Sequence, residues 1–186
     1  MTMQEFYSPA IVGEVTPSYA ALEDEVIADI VKINPGIQAI IMLRHPVERA
    51  ISHATKDLVR TPKEDAADIP VEEWQRFFST RGQIKLAGYQ PMIETWTSHL
   101  QQGNLFLADF QQVKEAPKTL LAAIHQFLGV RSGDKYCPEP TSKQKNANPD
   151  VTLPETVMTF LQDLLSDEVA EYEILVSEVR AGNVVR

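Results

Sequence analysis

The stretch that decides the fold is AIIMLRHPVERAISHA, residues 39–54. Its opening apolar run, rich in β-branched residues, predicts a strand buried on both faces. The run ends at Arg44, and Pro46 suits the first turn of a new helix, where its missing N–H costs no hydrogen bond. The amphipathic residues that follow predict a helix to about Val59. A buried strand that ends on an arginine and turns at once into a helix is the feature from which we interpret the rest of the chain.

The segments before this stretch predict a parallel sheet. IVGEV at residues 11–15 predicts a short strand, and the helix that follows it ends before Pro35 and Gly36. The apolar positions of that helix recur at helical spacing: Leu22, Val26, Ile30 and Ile33. Strand, helix and strand at this spacing indicate a parallel βαβ unit.

The segments after it predict further helices and one more strand. The helices are expected at residues 71–80, 82–103 with a kink or break at Pro91, 117–129, 154–166 and 168–180, and the strand at 104–110. We expect a single α/β domain over residues 1–186, in which a parallel sheet of at least three strands has helices on both faces. Ligands bind at the carboxyl ends of the strands in such sheets, and Arg44 lies at one of those ends.

The composition narrows the classes of function. Of the 186 residues 44% are hydrophobic, which suffices for one domain with a substantial core, and the formal net charge is −9. This charge disfavours binding to nucleic acid or to an anionic membrane, because both need a dense basic surface. It argues more weakly against a polyanionic acceptor.

The chain carries no sequence signal for membrane insertion, secretion or metal binding. No apolar run approaches the roughly 20 residues that span a bilayer, and the N-terminus has no basic start followed by an apolar core. We therefore expect a cytoplasmic protein, or one whose targeting segment has been removed. The single cysteine, Cys137, cannot form an internal disulfide, and the four histidines have no metal-ligand spacing, so no metal is expected.

The junction at Arg44 is suited to a phosphate group. A strand that ends in arginine and runs into a helix offers a guanidinium and free backbone N–H groups at one place, and the helix dipole also favours an anion there. Ser52, about two turns along the helix, could add a hydroxyl, and Arg49 adds a second cation. The alternative is that Arg44 pairs with a carboxylate and Ser52 is an ordinary helix-surface serine. These residues alone leave both interpretations open.

Five segments in unbroken order, over roughly residues 11–180, resemble the sulfotransferase family. LRHPVERAISHA resembles its LRxPxxRxxS signature, and upstream GEVTPSYA is similar to the EK[ST]PxY segment of the heparan-sulfate branch, with INPGIQAIIML joining the two. Downstream, residues 88–130 resemble a further block of the family. KYC followed by SKQKNANPD is similar to its loop that closes over the nucleotide. The resemblance implies the sulfotransferase fold, which is related to that of P-loop NTPases.

The resemblance also implies a sulfate donor and residues that bind it. The donor is 3′-phosphoadenylyl sulfate (PAPS), its by-product is adenosine 3′,5′-bisphosphate (PAP), and no metal takes part. Carried over by position, Arg44 and Ser52 would hold the 3′-phosphate and Tyr136 would lie against the nucleotide. Lys143 and Lys145 would take the places of a lysine and an arginine in the closing loop, and the alternative for both is a solvated basic loop. At Lys145 the bidentate fork of arginine is lost.

One part of the family pattern has no counterpart in the sequence. The family has a glycine-rich, lysine-containing loop after its first strand, which cradles the 5′-phosphosulfate. Only ten residues precede IVGEV, and they contain neither glycine nor lysine. We therefore expect the chain to be a fragment or truncated form, the C-terminal two-thirds of the family domain. A second chain that supplies the lost part, or a degenerate protein, would also fit. The open sheet edge is expected to pair with a missing N-terminal segment or in a homodimer.

The catalytic base and the acceptor are less defined. In the heparan-sulfate branch the base is a glutamate next to the missing loop, so Glu14 is the remaining candidate to accept a proton. The alternative is that Glu14 only pairs with a neighbouring cation. Val15 replaces a lysine that contacts the anionic acceptor in that branch. Together with the negative charge, this favours a small or lipid-like acceptor with a hydroxyl or amine.

Three hypotheses remain. The first is an enzyme that transfers a sulfuryl group from PAPS to a hydroxyl or amine. The second is a non-catalytic nucleotide-binding pseudoenzyme that keeps the 3′-phosphate site. The third is a P-loop kinase or NTPase relative, against which counts the absence of both a phosphate loop with Lys-Ser/Thr and a strand-end aspartate for Mg²⁺. Whether the chain is an enzyme stays open at this point.

Overall fold

A computed structural model of the chain describes residues 11–133 and 151–182. Its regular elements are α1 (Asp24–Ile33), β1 (Ala39–Leu43), α2 (Pro46–Ala54), α3 (Val71–Phe78), α4 (Arg81–Ala87), α5 (Tyr89–His99), β2 (Leu105–Asp109), α6 (Gln112–Glu115), α7 (Pro117–Phe127), α8 (Glu155–Leu164) and α9 (Ser166–Arg180). Short 3₁₀ turns cover Pro17–Ala21 and Ala66–Asp68, and α2 continues into a π-helical turn at Thr55–Arg60.

The two strands form a parallel sheet. Ala39 lies opposite Leu105 and Leu43 opposite Asp109. The backbone N–H of Ala39 donates to Asn104 O, and that of Phe110 donates to Leu43 O, both at 2.8 Å. Helices α2 to α5 form the long crossover that a parallel connection requires. The expected α/β architecture, a parallel sheet flanked by helices, is confirmed.

Different helices cover the two faces of the sheet. Successive side chains of a strand point to opposite faces, so Ile41 and Leu43 share one core with side chains of α1, α5 and α9. On the other face Phe106 and Ala108 of β2 pack against Leu120 of α7. Every residue of β2 is buried, whereas Ile40 of β1 is 38% exposed. Burial on both faces is thus complete for β2 and partial for β1.

A second hydrophobic core, which contains no residue of the sheet, holds α2 in place. Trp74 and Phe78 of α3 are fully buried there, with their rings stacked 6.3 Å apart. They pack with apolar side chains of α2 and α8: Val47, Ala50, Ala54, Val157 and Leu161. Because α2 carries the helical half of the sequence motif, this core positions that half relative to the sheet.

The strand predicted at residues 11–15 is wrong. Residues 11–16 have no regular structure, and Val12 and Val15 are 81% and 96% exposed. A strand is stable only when a neighbouring strand bonds its backbone, and in the described part of the chain β1 pairs with β2 alone. Apolar composition therefore did not suffice, and the described residues contain two strands where we expected at least three.

Two details of the predicted helices also differ. The helical region at 82–103 breaks at Gly88, and Pro91 lies in the first turn of α5, where a proline needs no N–H partner. In α1 the fully buried residue is Ile27, while Ile33 is 86% exposed. The buried face of α1 therefore differs from the predicted one. It is selected by contacts of α1 with the sheet and α5, and no local sequence pattern encodes these contacts.

The two isoleucines of α1 allow a matched test of this packing. Ile27→Ala should lower the free energy of unfolding by about 2–5 kcal/mol, since it leaves a cavity in a closed core. Ile33→Ala, the same change on the same helix at an exposed position, should stay within about 0.5 kcal/mol of wild type. Urea unfolding of both variants measures the difference. Equal losses would show that α1 is rotated relative to its described position.

Candidate functional site

The turn after β1 opens at the carboxyl end of the sheet. Helix α2 begins at Pro46 with His45 as its N-cap residue, and no side chain caps it by a hydrogen bond. The first backbone N–H groups of a helix have no partner inside that helix. The N-terminus of α2, a helix of nine residues, therefore presents donors and the positive end of its dipole next to Arg44.

Arg44 lies at this end with unused hydrogen-bonding capacity. Its guanidinium sits over the ring of Phe110, 5.1 Å from the ring centroid. Its Nε is 3.7 Å from Glu48 Oε2, which is beyond hydrogen-bonding distance. This buried Nε has no hydrogen-bond partner among the described residues. The carboxylate pairing that we kept as the alternative for Arg44 is thus present only as a long contact to a glutamate that is 61% exposed.

Ser52 lies on α2, eight positions after Arg44 in the sequence. Residues 48 and 52 are spaced by four within α2 and therefore share one face of that helix, whereas Arg44 precedes the N-cap residue and is not part of the helix. Glu48 is mostly exposed, while Ser52 is partly buried. A shared site for Arg44 and Ser52 therefore stays a prediction.

Arg49 adds a second guanidinium close to Arg44. Its Nη2 donates to Gln83 O at 3.1 Å, and its buried Nε has no hydrogen-bond partner in the described part of the chain. Burial lowers the pKa of Arg49, and the charge of Arg44 lowers it further, partly offset by Tyr89. The two neighbouring guanidiniums repel each other, and a bound anion would reduce this repulsion and accept hydrogen bonds from their unused donors.

A cavity of about 380 Å³ lies between the strand ends and α9. Its lining combines two guanidiniums, three carboxylates and three aromatic rings, from Arg44, His45, Glu48, Phe110, Gln111, Glu115, Tyr172, Glu173, Val176 and Arg180. The structure thus has a cavity at the carboxyl ends of the strands, where we expected a ligand site.

One of the two guanidiniums is neutralised in the fold. Asp109, the last residue of β2, is 1% exposed and accepts from Arg180 Nε at 2.9 Å and Nη2 at 2.7 Å. It also accepts from the backbone N–H of Gln111 at 2.9 Å. These charge-assisted bonds raise the pKa of Arg180 and tie the end of α9 to the sheet. Sequence reasoning missed this pair, whose only signal is the aspartate that ends the apolar run LFLAD. Asp109 is also a strand-end aspartate, so the absence of such a residue, which we counted against a kinase or NTPase, is wrong.

Aromatic rings line the other side of the cavity. The rings of His45 and Tyr172 meet edge to face with centroids 5.5 Å apart, and Tyr172 is 6.2 Å from Tyr89. Burial, with the charge of Asp109 as the second cause, raises the pKa of Tyr172 to about 12. Tyr172 is therefore a neutral hydroxyl at physiological pH, and neither tyrosine was singled out from the sequence.

Of the remaining predicted site residues, only Glu14 is described, and it lies away from this cavity. Glu14 is exposed, accepts a hydrogen bond from Thr16 Oγ1 at 3.2 Å, and is not in the cavity lining. A hydrogen bond between Glu14 and Tyr19, together with the negative charge of Glu14, raises the pKa of Tyr19. Tyr136, Lys143 and Lys145 lie outside the described residues, as does Cys137.

Two of the described histidines pair with aspartates. His53 pairs with Asp57 at 3.1 Å, and His99 pairs with Asp24 at 2.8 Å. No group of three or more metal-binding side chains occurs in residues 11–133 and 151–182. In the same ranges no helix has the length and apolar character needed to cross a membrane.

Comparison with known proteins identifies the family. The family model for the sulfotransferase domain matches residues 29–163, which include both strands and the junction at Arg44. The chain belongs to the sulfotransferase family. The kinase or NTPase hypothesis is thereby set aside.

Individual relatives agree with this assignment. Over 129 residues the chain is 28% identical to heparan sulfate glucosamine 3-O-sulfotransferases 3B1 and 3A1 of Mus musculus, covering 65% of this chain. The chain spans about a third of the length of these relatives, 32% and 31%. Its fold resembles the crystal structure of a sulfotransferase from Alicyclobacillus acidocaldarius, with a TM-score of 0.60 and 18% identity over 86% of this chain and 62% of the other.

The raised pKa of Tyr172 gives a testable pH dependence. Because the folded-state pKa of about 12 lies above the ordinary value for tyrosine, the contribution of this group to stability is fully present below about pH 10. It is lost as the pH rises through about 12. The difference between the tyrosinate absorbance titrations of wild type and Tyr172→Phe should isolate one ionisation near pH 12. An ionisation at the ordinary value would show that the Tyr172 hydroxyl is in water.

Proposed function

We propose that the chain binds PAPS at the turn after β1 and transfers its sulfuryl group to a hydroxyl or amine of a small or lipid-like acceptor. The observation that carries this proposal is the position of Arg44 and the unused hydrogen-bond donor of its side chain. Its guanidinium lies at the carboxyl end of the sheet beside the uncapped N-terminus of α2, with a buried Nε that has no hydrogen-bond partner among the described residues. Sulfotransferase family membership supplies the donor class.

The residues at the turn fit the 3′-phosphate of this donor. A phosphate there would accept from the guanidinium of Arg44 and from first-turn backbone N–H groups of α2, and the dipole of α2 would favour its charge. By the family resemblance, Ser52 of α2 would add its hydroxyl. Glu48 is exposed and held only at 3.7 Å, so it can turn towards water when the anion binds. PAPS, when bound, supplies the sulfuryl group and leaves as PAP.

The other donor contacts rest on the resemblance alone. Tyr136 would lie against the nucleotide, and Lys143 and Lys145 would contribute positive charge from the closing loop. Lysine and arginine at such positions neutralise phosphate charge, although a lysine lacks the bidentate fork of arginine. These three residues therefore stay predictions.

The acceptor class follows from charge. The cavity at the strand ends carries three carboxylates against two arginines, one of which is bonded to Asp109. With a net charge of −9 for the whole chain, a polyanionic acceptor would be repelled. A small or lipid-like neutral acceptor avoids this repulsion, and Glu14 is the proposed base that would accept its proton.

A second candidate function is a nucleotide-binding protein without sulfuryl transfer. The spacing of the glycines favours this function. In the described residues, no short segment has the clustered glycines whose backbone N–H groups could form a phosphosulfate cradle. The described glycines lie at 13, 36, 82, 88, 103, 129, 133 and 182. The exposed position of Glu14, away from the cavity lining, also favours it. Binding without turnover would then be the whole activity.

Calorimetric titration with PAP and with 5′-AMP tests the donor site. Wild type should bind PAP more tightly, because only PAP carries the 3′-phosphate. Arg44→Ala should weaken PAP binding about 10- to 100-fold, the usual effect of losing a charge-assisted bond, and should leave 5′-AMP binding nearly unchanged. Arg76→Ala, which removes the same charge from a side chain 77% exposed on α3, is the control. Equal affinity of wild type for the two nucleotides would refute the site.

Turnover separates the enzyme from the non-catalytic protein. Release of PAP from PAPS should depend on added hydroxyl or amine acceptors, and Glu14→Gln should slow it about 100-fold or more with unchanged PAP affinity. Glu25→Gln, at an exposed position in the first turn of α1, should keep the wild-type rate. Tight PAP binding without acceptor-dependent release would instead support the non-catalytic alternative. An unchanged rate in Glu14→Gln would remove Glu14 as the base.

A further inference from the structure

The hydroxyl of Tyr89 makes two hydrogen bonds to one residue, Arg44. The backbone N–H of Arg44 donates to Tyr89 Oη at 2.9 Å, and Tyr89 Oη–H donates to the carbonyl of Arg44 at 2.8 Å. One hydroxyl thus bonds both backbone polar groups of the residue that ends the strand. The two residues are 45 positions apart in sequence, so the contact depends on the tertiary fold.

This pair of bonds replaces a missing strand partner. In a parallel pair, alternate residues of a strand direct their backbone N–H and C=O groups towards the partner strand. The hydrogen bonds of Ala39 N–H and Leu43 C=O show that residues 39 and 43 face β2. The backbone groups of Arg44, the next residue, therefore face the opposite edge. No further strand pairs there in the described part of the chain. The Tyr89 hydroxyl provides the acceptor and the donor that an adjacent strand would otherwise provide.

The hydroxyl itself is held in a fixed position. Tyr89 is 4% exposed and is the first residue of α5, and its ring packs against Tyr172 of α9 at 6.2 Å. The next backbone N–H, that of Gln90, donates to the carboxylate of Glu171 on α9. The start of α5 is therefore bonded to α9 on one side and to the turn after β1 on the other.

We propose that Tyr89 is a positioning residue for the anion site, which fixes the backbone of Arg44 and so directs its guanidinium and the first N–H groups of α2 towards one point. The proposal rests on the proposed function, since it assumes a phosphate at that point. With both its N–H and its carbonyl bonded, Arg44 cannot rotate its peptide units without breaking a hydrogen bond. Preorganised donors bind an anion more tightly because less ordering is needed when the anion arrives.

A purely structural role for the same hydroxyl predicts a different result. If Tyr89 only satisfies two backbone groups, its removal should lower stability and affect both nucleotides alike. If it positions Arg44, the loss should fall on ligands that carry a 3′-phosphate. The ratio of the affinities for PAP and 5′-AMP distinguishes the two roles.

Tyr89→Phe is the variant that tests the proposal, since it keeps the buried ring and removes only the hydroxyl. The affinity for PAP should fall about 10-fold, the size of a lost hydrogen bond, with 5′-AMP binding unchanged. Thr97→Val, which removes a hydroxyl bonded within the same helix α5, should leave the affinity ratio at its wild-type value. Thermal unfolding of both variants verifies that they are folded.

Hydrogen exchange of the Arg44 amide provides a test that needs no ligand. In wild type this amide should be protected, and in Tyr89→Phe it should exchange faster by about 10-fold or more relative to Leu43, which is bonded to β2. An unprotected Arg44 amide in folded wild type overturns the proposal. This holds even if the variant does not fold.

The outcomes separate this proposal from the proposed function. If wild type prefers PAP and Arg44→Ala abolishes the preference while Tyr89→Phe retains it, the donor site stands and the role of Tyr89 is refuted. A parallel loss for both nucleotides in Tyr89→Phe also refutes it. If wild type shows no preference for PAP, the donor site fails and the positioning role fails with it.

Discussion

The parallel pairing of β1 with β2 is the constraint on which the candidate site depends. Its register places Leu43 beside Asp109, so Arg44 and Phe110 leave the sheet next to each other. The guanidinium of Arg44 can then lie over the ring of Phe110, and the cavity opens between the two strand ends and α9. A register shifted along the strands would separate these groups, although each strand would keep its own sequence.

Charge at this edge of the sheet is divided between bonded and available groups. Asp109 is buried and takes two hydrogen bonds from Arg180, so this carboxylate and this guanidinium largely neutralise each other. Arg44 and Arg49 instead keep buried Nε atoms without hydrogen-bond partners in the described residues. Buried donors of this kind carry a desolvation cost that an anion can remove. The fold thus leaves positive charge available at one place in a strongly acidic protein.

Two hydrophobic cores stabilise this geometry. The core between the sheet and helices α1, α5 and α9 includes Tyr89, whose hydroxyl reaches Arg44. The other core, around Trp74 and Phe78, holds α2. The packing of β1 in one core and of α2 in the other therefore fixes the turn between them, which explains how a polar turn at the end of the sheet keeps a defined shape.

The sequence by itself determined the local elements and the family. The apolar runs at β1 and β2, the proline that starts α2 and the glycine after α7 have local causes, so their positions were predictable, and the LRHPVERAIS motif led to the sulfotransferase family. The tertiary structure alone decided which partners these elements meet. Residues 11–15 have the composition of a strand but lack a neighbour to bond, and Ile27 is buried in place of Ile33 because contacts with other elements select the buried face. Tyr89 and the Asp109–Arg180 pair join residues 45 and 71 positions apart, and hydrogen bonds across such separations leave no periodic signal in the chain.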